Sequence, residues 1–167
     1  LFNMPEGHAS LRPVVNLSLV LNYAFGGLKV WGYHAFNLTI HVLGGLTLFG
    51  LVRQTFLGER LRVRYGMNAT QLALVISLVW LLHPLQTQSV TYIVQRAETL
   101  MGLFYLLTLY SVVRGVPSKR KSAWYATAVV SCVLGMASKE VMVTAPIVVL
   151  LYDRVFIAGS FSEAFKT

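Results

Sequence analysis

Two stretches of this chain, residues 72–82 and 100–113, carry no charged side chain and very few polar ones. Between them lies HPLQTQSVTYIVQRAE, residues 83–98, a polar segment that opens on His-Pro and closes on Arg96 and Glu98. Apolar runs of this length, joined by so short a polar piece, fit a chain that crosses a lipid bilayer repeatedly. The joining segment then lies at the membrane surface, where buried or half-buried ionisable groups are costly and mark functional sites. Composition supports that constraint. Of 167 residues, 56% are hydrophobic and only 12% are charged, too few to cover the surface of a water-soluble domain of this size.

The expected fold class is all-α: a polytopic membrane domain of about five transmembrane helices with an amphipathic interfacial helix before them. The whole chain, 1–167, reads as one partial membrane domain. Residues 1–30 form an external loop and the amphipathic stretch 13–28, and the spans fall at about 33–52, 69–83, 98–114, 122–138 and 141–157. Helices are expected because an unpaired backbone in hydrocarbon costs several kcal/mol, and the runs lack the period-two pattern of a barrel. The opening in a polar loop, without Met or a signal peptide, fits a piece of a longer polypeptide.

The net charge of +8 does not point to nucleic acid. The cations gather in what read as two short loops: Arg53, Arg60, Arg62 and Arg64 in 53–68, and Arg114, Lys119, Arg120 and Lys121 in 114–121. Two spans separate these segments, so both fall on one side, which the positive-inside rule makes the cytoplasm. The first loop, 83–98 and the Ser138-Lys139-Glu140 hairpin then share the opposite, periplasmic or lumenal side. The expected location is a bacterial inner membrane, or the endoplasmic reticulum in a eukaryote. The single Cys132 lies in an apolar run and excludes a disulfide framework.

The polar residues on that outer side are the candidates for chemistry. His83-Pro84 ends a helix, since proline bars the preceding residue from the α region and brings no donor. Arg96 has two open readings: a fork for phosphate oxygens, or a side chain that snorkels to the surface or pairs with Glu98. Lys139 and Glu140 are costly choices for so short a connection. They form either a solvated turn capping the preceding helix or a site in which Lys139 neutralises a lipid-linked phosphate. His34, Asn37 and His41 share one face of the first span, and no Asp or Cys nearby completes a metal site, so no metal is assigned. Gly44 and Gly45 allow close helix packing. No nucleophile elbow, phosphate-binding loop, dinucleotide fingerprint or paired cysteine motif occurs.

Arg12-Pro13 leading into LSLVLNYAFGGLKVWGYHAFNLTIHVL, then LLHPLQTQSVTYIVQRAETLMGLFYLLTLY, then LGMASKEVMVTAPIVVLLYDRVF, resembles the membrane half of the transmembrane and tetratricopeptide-repeat protein family, in particular its bacterial-type relatives. The similarity runs over nearly the whole chain. Members resemble O-mannosyltransferases of the GT-C class. The resemblance implies a glycosyltransferase that moves a sugar from a polyprenyl-phosphate donor to a protein hydroxyl on the external face. It implies a donor phosphate held by Arg96, Lys139 and Arg12, in a site lined by His83, Gln88, His34, Asn37 and His41. Such enzymes place their principal acid in a first external loop, expected upstream of Leu1, and follow the membrane half with repeats, expected downstream of Thr167, that hold the acceptor. Within the chain Glu98 and Glu140, with Glu6, are the remaining candidate bases. Relatives commonly carry Glu where this chain has Gln88, and an amide accepts no proton. The fragment alone is therefore expected to be inactive. A divalent metal, if one is used, falls to residues outside the chain. Partners are the bilayer, the lipid-linked sugar and a protein acceptor, with no nucleic acid. Two other classes stay open: a non-catalytic membrane subunit that keeps the fold, and a transporter, which an inverted repeat would mark.

Overall fold

The computed structural model describes residues 12–158, and these are helical nearly throughout, with no strand among them. The helices are α1 (Pro13–Gly26), α2 (Val30–Leu57), α3 (Glu59–Tyr65), α4 (Ala69–Leu82), α5 (Thr87–Thr91), α6 (Arg96–Gly115), α7 (Lys121–Met136) and α8 (Ala145–Tyr152). Short 3-10 turns link several of them, and a π turn, Asp153–Ala158, continues α8. The segment before Arg12, with Glu6, and the tail carrying Lys166 lie outside the described residues.

Local chemistry sets the boundaries. Pro13 opens α1, where its missing N–H costs nothing. Gly27 reverses the chain into α2 at φ +60°, a conformation that side chains disfavour. α4 stops at Leu82 because His83, held extended, precedes Pro84. Pro146 sits in the first turn of α8.

α6 is the hub, packed on α1, α2, α7 and α8, while α4 packs on α2. Val15, Ile40, Ala97 and Leu100 form one apolar cluster near the start of α6. Leu51, Leu109 and Val113 form another toward its end, so α2 and α6 run in the same direction. Glycines set the closest approaches: a Cβ on Gly45 would lie 2.5 Å from Leu81 Cγ, and one on Gly135 2.7 Å from Met142. Outside this small core, apolar side chains also cover the outer faces of α4 and α7. Leu74, Val75, Ile76, Leu78 and Val79 of α4 and Val129, Val130 and Val133 of α7 are all exposed.

The structure redraws several expected boundaries. Two helical runs among the described residues are long and apolar enough to cross a membrane, Val30–Leu57 and Glu59–Leu82. The basic segment 53–68 is not a loop: α2 continues to Leu57, and Gly58 alone separates it from α3. The run at 141–157 is a composite of a 3-10 turn (Glu140–Thr144), α8 and the π turn, because Pro146 cannot continue a preceding helix. α1 also departs from a simple amphipathic helix. Val15 and Ser18 face inward, but Leu17, Val20, Leu21 and Phe25 face out.

Candidate functional site

The break after α4 creates a supply of carbonyl groups without helical partners, and the polar face of α2 answers it. The His41 Nε2–H donates to Leu81 O at 3.1 Å, the His34 ring N–H to Val90 O at 3.2 Å, and Asn37 Nδ2 to Tyr92 O at 3.3 Å. The recurrence at i, i+3 and i+7 thus stitches residues 81–92 to the bundle, which removes the cost of burying an unpaired carbonyl. His41 also stacks on Trp80, with ring centroids 5.0 Å apart. His83 turns away: exposed, it accepts from Leu85 N–H through Nδ1 and caps the turn after the break.

Arg96 lies beneath this layer with no exposed surface. Its Nε donates to Asn37 Oδ1 at 2.9 Å, one Nη to Ser18 O at 3.2 Å and the other to Tyr33 O at 3.2 Å. The guanidinium carbon sits 4.6 Å from the centre of the Phe36 ring. Arg96 therefore ties α1, α2 and α6 together. Its fork points at protein acceptors, not at the surface, and Glu98 takes another partner. Neither open reading of Arg96 describes this arrangement, because each of its three nitrogens already donates to a protein oxygen.

Glu98 pairs with Lys139 Nζ, which the α7–α8 connection delivers. Lys139 is held by its own N–H donating to Gly135 O at 2.9 Å, while Ser138 Oγ donates to Leu134 O and stays fully buried. Next to it, Glu140 faces Arg12 across 3.7 Å at an exposed position. The four charges Arg12, Glu98, Lys139 and Glu140 thus alternate in sign along two contacts.

Glu98 also lines a cavity of about 370 Å³ bounded by α2, α4, the 83–95 segment and α6. Gln86, Gln88, Ser89, Gln95 and Thr99 supply its polar wall, and His41, Trp80 and Leu103 its apolar wall. Of the residues singled out from sequence, His41, Gln88 and Glu98 meet here, with Lys139 reaching it through Glu98. His34, Asn37 and Arg96 are outside its lining and hold the surrounding backbone, and Arg12 and Glu140, also outside it, pair with each other. Gln95, Glu98, Thr99 and Gly102 follow i, i+3, i+4 and i+7 from the residue before α6, a spacing that links Glu98 to the three others. No group of three or more His, Cys, Asp or Glu close enough to hold a metal occurs among the described residues.

No family model and no solved structure matches the chain. Protein O-mannosyl-transferase tmtc2 of Xenopus laevis is 33% identical over 152 residues, covering 87% of this chain and 17% of that protein. Protein O-mannosyl-transferase TMTC2 of Homo sapiens is 32% identical over 152 residues, with the same coverage. Protein O-mannosyl-transferase TMTC3 of Homo sapiens is 29% identical over 159 residues, covering 94% of this chain and 16% of that protein. The chain spans about a sixth of the length of these curated relatives.

Proposed function

Because this chain belongs to the TMTC family, whose members compared above are named protein O-mannosyl-transferases, we propose that it forms part of the membrane domain of a glycosyltransferase. The donor is a sugar on a polyprenyl phosphate, and the acceptor is a protein hydroxyl on the side of the membrane opposite the basic segments. The observation that carries this reading is Lys139, bound to Glu98 at the wall of a cavity with one polar side, at the far end of the bundle from the arginine-rich segments. Arg96 and Arg114 bound α6 and stand 18 residues apart, about 27 Å of helix, close to the thickness of a hydrocarbon core. The apolar exterior of α4 and α7 is solvated by lipid, and the five apolar segments complete a multi-pass domain, with α1 at its outer surface.

The phosphate of the donor displaces Glu98 from Lys139 and takes the ammonium as its counter-ion. Arg12, paired with the adjacent Glu140, supplies a second cation on the same end of the bundle. Gln86, Gln88 and Ser89 present hydrogen-bonding groups to sugar hydroxyls. As the acceptor oxygen bonds to the anomeric carbon, the bond to phosphate breaks, and the charge on the departing phosphate is stabilised by a cation already in place. The acceptor proton goes to a carboxylate outside residues 1–167. Arg96 belongs to the scaffold of this site and does not touch the donor.

The test is transfer by the full-length protein in membranes. A polyprenyl-phosphate-linked mannose should support glycosylation of an acceptor peptide, and a nucleotide-linked mannose supplied alone should not. Transfer from the nucleotide sugar with no lipid-linked intermediate would remove the proposal.

A further inference from the structure

The opposite end of the bundle holds a second and larger cavity, of about 530 Å³, which plays no part in the chemistry above. It opens where α2 ends, α3 begins, α6 turns toward α7 and the π turn passes. Leu57, Val113, Val116, Phe156 and Ile157 give it apolar walls, and Arg114 and Glu59 stand among its lining residues. Its inner hydroxyls are spoken for, since Thr55 and Tyr152 hydrogen-bond to each other. Arg114 and Glu59 are both exposed and make no ion pair with each other. The surroundings are strongly positive. Residues 53–64 and 114–121 carry eight Lys and Arg against Glu59.

We propose that this cavity binds one anionic phospholipid of the leaflet on the basic side, with the phosphodiester on Arg114 and the upper acyl chain against Val113, Val116 and Phe156. An apolar slot with a guanidinium among its lining residues, set among further cations, matches a headgroup that carries net negative charge above two acyl chains. A zwitterionic choline headgroup brings no net charge to the surrounding cations, and its quaternary ammonium has no N–H to donate to Glu59. The inference rests on the membrane placement proposed above and not on glycosyl transfer.

The experiment uses full-length protein in nanodiscs of phosphatidylcholine alone or with a fifth of the lipid replaced by phosphatidylglycerol, read by thermal unfolding and by lipid retention in native mass spectrometry. Phosphatidylglycerol should raise the midpoint and leave one retained lipid, and phosphatidylcholine should do neither. Arg114→Gln and the cavity-filling Val116→Phe should each abolish the retained lipid and at least halve the midpoint shift. Arg62→Gln removes an equal charge outside the cavity and should leave both readouts as in the parent. Equal retention of the two lipids, or equal loss in Arg114→Gln and Arg62→Gln, would reduce the effect to general surface electrostatics and overturn the site. Protein that fails to enter nanodiscs at all would instead count against the membrane placement.

Discussion

Arg96 and Lys139 are both cations on the same end of the bundle, and from sequence both suit a phosphate. The structure puts them to different uses. Arg96 is buried among oxygens that belong to the protein, one from a side chain and two from backbone. Lys139 is held by one carboxylate that is itself substantially exposed, in a cavity wall. A cation whose partners are fixed backbone carbonyls cannot exchange them for a ligand without dismantling helix contacts. A cation paired with a half-exposed side-chain carboxylate can exchange that partner by a change of rotamer, with no helix contact broken. Burial of the partners, not the charge, separates scaffold from binding group.

The largest effect should follow Arg96→Ala. It strips donors from Asn37 Oδ1, Ser18 O and Tyr33 O and removes the packing on Phe36, so the full-length protein in detergent should lose about 3 kcal/mol or more in denaturant unfolding. Arg96→Lys should recover little of this, since one ammonium cannot reproduce a three-way planar fork. An unfolding midpoint unchanged by Arg96→Ala would erase the contrast with Lys139.

Gly45→Val comes next. Its added atoms meet Leu81 beside the carbonyl that His41 holds, and overpacking of this kind costs about 1–3 kcal/mol. Because the helix break behind the cavity shifts with Leu81, donor affinity should fall together with stability. A variant that loses stability but keeps full affinity would show that the α2–α4 contact does not position the cavity wall.

The smallest effect should be that of Glu140→Gln. Its pairing with Arg12 is long and exposed, so stability should change by less than about 0.5 kcal/mol in the same unfolding assay. A loss as large as that of Arg96→Ala would mean that the outer ion pair carries structural weight that its exposure denies.

Much of this arrangement was legible beforehand. The all-helical character follows from the apolar runs, the stop after Leu82 from His83-Pro84, and the close α2–α4 approach from Gly44 and Gly45. The common face of His34, Asn37 and His41 follows from their spacing, but its partners are backbone carbonyls of the 81–92 segment, which no side-chain pattern announces. The role of Arg96 was hidden for the same reason. Two of its acceptors are carbonyls 78 and 63 residues away, and any residue type offers a carbonyl. The composite build of 140–158 was signalled by Pro146, yet the unbroken apolar run hid it. In 53–68 the density of arginine suggested a loop, although Arg, Glu and Leu are all good helix formers.

The most direct measurement is the affinity of full-length protein for a polyprenyl phosphate, taken in the parent and in Lys139→Ala alongside their unfolding midpoints. Loss of a charge-assisted contact to phosphate corresponds to about 1.5–3 kcal/mol, or roughly a 10- to 150-fold weaker Kd. The account predicts that weakening with a midpoint close to the parent's. A Kd equal to the parent's in folded Lys139→Ala protein would contradict it and return Lys139 to the role of a surface turn.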